Sequence, residues 1–293
     1  MKRIKPASLI LAAAAMIAFT ACDRNAGKAG GDSGILPQGI TMMTIDSASL
    51  TSFRDNAEER RMPNSLFYGK NDSDSINILS PEGSVPSSIS CFLIEKKGKK
   101  MLFDTGNGPD KGGRLLALLD SMDIKPTDID YVMITHFHGD HIGGLMRDGK
   151  PVFTQSEVYV PEEEYGYWIT NARRVKKEHR DNAAFAASVM KAYAGHLHRF
   201  AYTDALPLGV KALPAPGHTP GHTVYQAGRL LVIGDLMHGY ALQMQNPKIC
   251  AAYDMNRKKA VESRVKYIGY VKDKKLIMAG MHLPGNGVIE EQE

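Results

Sequence analysis

Cysteine is scarce in this chain, tryptophan occurs once, and neither sign of charge dominates. Three cysteines in 293 residues are too few for a disulfide scaffold. The formal net charge is +4, and Lys2, Arg3 and Lys5 carry three of those charges in a segment expected to be removed, so the remainder is near 4 − 3 = +1. So even a balance excludes a sequence-independent nucleic-acid binder, which needs a basic face. Glycine (28) and proline (15) are present without the excess and low apolar content of a disordered chain. No internal repeat is visible. The length and a hydrophobic fraction of 43% suffice for a sizeable core.

The one long apolar run, Ala7 to Ala21, falls short of the roughly 20 residues that a bilayer-spanning helix needs. It follows a basic start and precedes Cys22, the layout of an export signal. Phe19-Thr20-Ala21-Cys22 resembles a bacterial lipobox, with phenylalanine where an aliphatic residue is usual. Residues 1–21 are therefore expected to be a signal peptide. Cys22 is expected to carry the lipid that ties the protein to the membrane of the cell envelope (periplasm or outer membrane), and residues 22–37, polar and Gly-rich, read as a flexible tether. Plain secretion is the alternative. Export leaves Cys91 and Cys250 in an oxidising compartment, where they could pair or stay as buried free thiols.

Residues 38–293 read as one domain of alternating strands and helices. Strand patterns occur at Ile40–Ile45, Tyr131–Ile134, Leu230–Ile233 and Leu276–Met278. Ile89–Glu95 and Lys100–Phe103 flank a lysine-rich turn and read as a hairpin. Helical spacing links Leu115, Leu118, Leu119 and Met122, then Phe185, Val189 and Tyr193, then Val261, Val265 and Ile268. Residues 47–74 read as irregular, with one short helix near Arg54–Arg61. Such a mixture predicts sheets flanked by helices.

Chemistry concentrates in loops that follow strands. Thr135-His136-Phe137-His138-Gly139-Asp140-His141 directly follows Tyr131–Ile134. Imidazoles and carboxylates are the ligands that suit zinc and similar metals. In extended backbone His136 and His138 point the same way, and Gly139 permits a turn that brings Asp140 and His141 to a second point nearby. Pro216-Gly217-His218-Thr219-Pro220-Gly221-His222 presents a histidine from a rigid loop. Asp235 follows the strand Leu230–Ile233, where a carboxylate can bridge two cations. His282 follows Leu276–Met278.

The ordered set His136, His138, Asp140, His141, His218, Asp235 and His282 resembles the metallo-β-lactamase superfamily, from about Ile40 onward. Gly217–Tyr225, Gly234-Asp235-Leu236 and Ala279–Pro284 are most similar to the methyl parathion hydrolase and acyl-homoserine lactonase branch. The resemblance implies an α+β fold, the four-layer αββα sandwich. It implies two divalent metal ions, zinc above all, with iron, manganese or cobalt compatible. His136, His138 and His218 would hold one, Asp140, His141 and His282 the other, and Asp235 would bridge them. The expected activity is hydrolysis of a small ester, lactone or phosphotriester by a hydroxide held between the metals. Asp140, besides ligating, and His238 are the residues expected at the reacting centre. His238 stands three residues after Asp235, where lactonases commonly have tyrosine, and could protonate the leaving oxygen or merely pack; Tyr240 is nearby. Asp104 matches the family's strand-end aspartate that orients a metal-binding histidine. Trp168, in an aromatic cluster with Tyr159, Tyr165 and Tyr167, is expected in the pocket wall. His222 is expected to fix its loop rather than bind metal, and His179, His196 and His198 to be exposed.

Only 293 − 282 = 11 residues follow His282, fewer than relatives usually have, so either the second sheet is trimmed or the sequence stops early. Asp235 argues against a true β-lactamase. Glyoxalase II would need a helical substrate domain, and a nuclease of this superfamily would need added modules and a basic groove. The readings kept open are a mononuclear iron persulfide dioxygenase and a non-catalytic binding lipoprotein. No motif speaks to oligomeric state, and a homodimer is compatible.

Overall fold

In the computed structural model the description covers residues 36–68 and 72–290. The signal and lipobox expectations, and the tether up to residue 35, lie outside the described residues. No helix among the described residues is long and apolar enough to cross a membrane.

Two sheets dominate. The first holds β1 (Ile40–Ile45), β2 (Ala48–Arg54), β3 (Ser90–Lys96), β4 (Lys99–Phe103), β5 (Tyr131–Met133), β6 (Glu157–Pro161) and β7 (Leu197–Phe200), side by side in chain order. Pairing is antiparallel from β1 to β4 and parallel from β4 to β7. The second holds β8 (Lys211–Pro214), β9 (Thr223–Ala227), β10 (Leu230–Val232), β11 (Ile277–Ala279) and β12 (Val288–Ile289), again in chain order. Its β10–β11 pair is parallel and the others antiparallel. Helix 257–274 fills the connection from β10 to β11 that a parallel pair demands.

Alternation explains the layering. In the second sheet Tyr225, Leu230, Val232 and Ala279 join the core shared with the first sheet. Their neighbours Val224, Leu231, Ile233 and Met278 pack instead with Tyr267 and Val271 of helix 257–274. The strands are thus apolar on both faces, as sheets covered on both sides must be. The first sheet shares its core with Leu115, Leu118 and Leu119 of helix 115–120 and with Ala186, Val189 and Met190 of helix 180–192. The Tyr225 hydroxyl donates to the Ile134 carbonyl (2.7 Å) and joins the sheets directly above the metal-ligand loop.

Two local expectations are corrected. No helix forms over 54–61: β2 runs to Arg54, a bend covers 56–58, and Arg60–Pro63 pairs with Ser84–Ser87. Helix 257–274 buries Ala260, Ser263, Arg264, Tyr267 and Val271, whereas Val265 is exposed. A fully buried arginine whose guanidinium bonds the carbonyls of Leu236, Pro247 and Ile249 rotates the inner face away from the apolar stripe. Cys91 and Cys250 are both buried and free.

Candidate metal centre

Every candidate ligand sits at the end of a strand on one edge of the two sheets. Asp104 follows β4 with φ +55, a left-handed conformation uncommon for aspartate. His136 to His141 follow β5, His218 lies between β8 and β9, Asp235 follows β10 and His282 follows β11.

The side chains converge as two groups. Nε2 of His136, Nδ1 of His138 and Nε2 of His218 stand 2.9 to 3.2 Å from one another. Nitrogens sharing one tetrahedral zinc at about 2.0–2.1 Å would be about 3.4 Å apart, so the spacing fits a common ion. In the second group His282 Nε2 lies 3.5 Å from Asp140 Oδ2, and His141 Nε2 lies 3.9 Å from Asp140 Oδ1. Asp235 stands between them. Its Oδ1 is 3.0 Å from His141 Nε2, and its Oδ2 is 3.2 Å from each of His218 Nε2 and His282 Nε2. His141 Nε2 and Asp235 Oδ1 are buried without a hydrogen-bond partner. Buried polar atoms are rarely left so. Orphaned donors turned toward shared points fit two cations.

The other nitrogens of the histidines are held. His141 Nδ1 is 2.8 Å from Asp104 Oδ2, and Asp104 also accepts from the N–H and hydroxyl of Thr135. His282 Nδ1 donates to the Ser88 carbonyl (2.8 Å). His218 Nδ1 is 3.3 Å from Asp254 Oδ1, and Asp254 is paired with Arg264. His222 is no ligand here. Its Nδ1–H donates to the Ala215 carbonyl and its Nε2 accepts from the N–H of Asp235 (2.9 Å), which fixes that carboxylate's backbone.

Burial and neighbouring charges divide the histidines. Burial, then the charge of its histidine neighbours, holds His136 and His138 well below the usual imidazole pKa. Burial also lowers His222 to about 3. Burial works the same way on His141 and His218, but adjacent carboxylates outweigh it; His141 is held well above its ordinary value and His218 is pushed up to about 9. Burial would raise Asp235, yet His141, His282, His218 and His238 together keep it well below the carboxylate range.

A cavity of about 290 Å³ opens over the ligands, lined by His138, Asp140, His218, Asp235, His238 and His282 and walled by Arg60, Met62, Asn182 and Tyr253, with Gly139 beneath. His238 is in this lining. Its Nε2 is 3.2 Å from Asp235 Oδ2, its ring stacks on His282 at 5.1 Å, and its Nδ1 is buried without a partner. Trp168 is not in the lining. It is fully buried, its ring edge-on to His138 at 5.9 Å, and its indole N–H donates to Glu164 (2.6 Å). The indole backs a ligand because a buried Trp N–H needs an acceptor and Glu164 is inside. Tyr240 packs on the helix side of the second sheet, away from the lining. His196 and His198 are exposed and share Glu157.

Sequence reasoning missed Glu164 and Asp254. Glu164 ends a run of three glutamates, Glu162–Glu164, yet it is fully buried. Its Oε1 accepts from the Phe137 N–H (3.0 Å) and Trp168, its Oε2 from the Thr219 hydroxyl and Gly221 N–H (both 2.8 Å). One carboxylate thereby ties together the two loops that carry His136, His138 and His218. Burial pushes its carboxyl up while these four donors pull against that. Neither residue carries a local signal; each is defined by partners far along the chain.

Known proteins share this arrangement of strands and loops. Residues 85–189 match the Metallo-beta-lactamase superfamily. This chain carries a metallo-β-lactamase superfamily domain. The domain's fold matches a hydrolase of the beta lactamase superfamily, AbOPH (25% identity, TM-score 0.77, 87% of this chain and 94% of that one). It also matches AidC, a dizinc quorum-quenching lactonase (22% identity, TM-score 0.77, 87% and 98%). Among curated proteins, it is 25% identical to the N-acyl homoserine lactonase of Bacillus cereus over 52% of this chain and 63% of that protein. It is 42% identical to the ribonuclease Z of Nanoarchaeum equitans over 24% and 21%. The domain therefore spans about a fifth of the ribonuclease and under two thirds of the lactonase.

Proposed function

We propose that the domain is a dinuclear metal-dependent hydrolase of a small ester, lactone or phosphotriester. The observation that carries this is Asp235, whose carboxylate stands within 3.2 Å of donors from both groups beneath an open cavity. The three-histidine group, and the group of one aspartate with two histidines, are the donor sets expected for two divalent ions, zinc first among them. Two such ions, when bound, would polarise a substrate oxygen and lower the pKa of a water toward neutrality.

The protein's own residues do the rest. Asp104, Asp254 and the Ser88 carbonyl orient His141, His218 and His282. Glu164 and His222 fix the loops that present the histidines and Asp235. Burial holds the His238 imidazole neutral, lowered to about 4, on the cavity wall. There its N–H can donate a hydrogen bond to the leaving oxygen. In an ester the scissile C–O bond breaks, water gives its hydroxyl to the acyl carbon, and its proton leaves with the alcohol. Among the described residues no serine or cysteine nucleophile lines the cavity. We further propose export and anchoring through a lipid on Cys22, which makes an environmental or periplasmic small molecule the substrate.

The test compares initial rates of the metal-loaded protein on an acyl-homoserine lactone, an aryl ester and a phosphotriester, with and without chelator. Chelator-sensitive turnover supports the reading, and the fastest substrate places the branch. Two bound metals without turnover would remove the substrate class. One iron per chain would point to the dioxygenase, and no metal to a binding protein.

A further inference from the structure

Two arginines stand side by side in the strand Arg60–Pro63 and meet opposite environments. Neighbours in a strand point to opposite faces. Arg61 points outward, forms an ion pair with Glu82 (2.6 Å) and bonds Ser84. Arg60 turns with Met62 into the metal-ligand cavity, whose lining also includes Tyr253 and Asn182. It is half-buried, yet among the described residues it has no ion pair, no side-chain hydrogen bond and no aromatic face beneath it. Drawing a charge partly out of water without a partner is costly, so the pairing of Arg61 makes the solitude of Arg60 informative.

The position of Arg60 is fixed relative to the ligands. Arg60 pairs across the ladder with Ser87, whose hydroxyl donates to the carbonyl of His282 (3.3 Å). The next residue, Ser88, accepts from His282 Nδ1 and donates to the carbonyls of Met281 and Leu283. The strand that carries Arg60 is thus tied to the loop that carries a candidate metal ligand. The carboxylates that share the cavity, Asp140 and Asp235, face histidines. Among the described residues, Arg60 is the one cationic side chain of the lining outside the histidines.

We propose that Arg60 is a specificity-determining residue that binds a carboxylate carried by the substrate away from the bond that breaks. The preferred substrate is then an ester or lactone that already bears an acidic group. A guanidinium offers a carboxylate two parallel N–H donors, which a lysine cannot. Tyr253 and Met62 supply the apolar wall against which the intervening chain of such a substrate lies. This inference rests on the hydrolase reading of the same cavity.

The experiment uses the metal-loaded full chain and two esters of equal length, 4-nitrophenyl hydrogen adipate and 4-nitrophenyl hexanoate. We expect the acid ester to be preferred in kcat/KM by about tenfold or more, as a charge-assisted hydrogen bond provides. Raising the salt should shrink that ratio. Arg60→Gln should erase the preference through KM, and Arg60→Lys should retain part of it. Equal rates for the two esters, or a ratio that Arg60→Gln leaves unchanged, would overturn the proposal. If neither ester is turned over by protein that holds two metals, the ester reading fails, and calorimetry with the matching 4-nitroanilides decides the subsite separately. Tighter binding of the acidic anilide that Arg60→Gln abolishes would uphold it; equal binding of both anilides would sink it.

Discussion

The carboxylate of Glu164 accepts a hydrogen bond from the backbone N–H of Phe137, the residue between His136 and His138. The same carboxylate holds Thr219 and Gly221, which follow His218. The two loops that supply the three-histidine group therefore share one buried anchor, on which two predictions turn.

Glu164→Gln keeps the shape but leaves one oxygen for four donors. At least one buried donor then loses its acceptor, at a cost of about 1–3 kcal/mol. We expect that loss in denaturant unfolding, together with weaker metal retention on dialysis. Unchanged stability and full metal content would show that Glu164 does not position the loops.

A methyl group at Gly221 would stand 2.2 Å from the Glu164 nitrogen. Gly221→Ala should therefore destabilise by about 1–3 kcal/mol or more through overpacking. Gly166 has helical dihedrals and open space around its α-carbon. Gly166→Ala should be neutral or gain about 0.4–1 kcal/mol. Thermal melts of the two variants check the contrast, and similar melting temperatures would refute it.

Asp104 and Asp254 serve different groups, the first through His141 and the second through His218. Removing such an orienting carboxylate typically weakens metal binding about 10–100-fold. Asp104→Asn should weaken the ion held by Asp140, His141 and His282. Asp254→Asn should weaken the ion held by His136, His138 and His218. Stepwise metal titration followed by calorimetry should show one affinity falling in each variant; losses of both ions in both variants would contradict independent support.

Removing the metals should destabilise the fold as well as end activity. A ligand at 100 times its dissociation constant stabilises by about 2.7 kcal/mol. Chelator should thus lower the melting temperature, and readdition of zinc should restore it. A melting curve indifferent to chelator, in protein whose elemental analysis shows two metals before treatment, would count against a centre built into the native structure.

The spacing of His136, His138, Asp140 and His141 after an apolar strand was readable because these ligands share one loop and local geometry aims them. His218, Asp235 and His282 were readable only as a series at strand ends. The hairpin around Lys97-Gly98 and the helix 115–120 were readable because turn chemistry and periodicity are local. Residues 47–62 were not: their polar sequence hides strands whose partners lie far along the chain, as Arg60 pairs with Ser87 and Leu50 with Ile94. The buried face of helix 257–274 was not legible either, because Arg264 buries a charge that only distant carbonyls and Asp254 satisfy.

By itself the sequence determined the chemistry: imidazoles and carboxylates in a fixed order, with glycines and prolines shaping the loops between them. Residue type and short spacing decide what a loop can ligate, and both are written along the chain. The tertiary structure decided what supports and what borders that centre. It put Glu164 and Asp254 inside, placed Trp168 behind His138 instead of in the wall, and turned Arg60 rather than Arg61 toward the cavity. Those outcomes depend on which surfaces are excluded from water when the two sheets close, and that is a property of contacts between residues far apart in the chain.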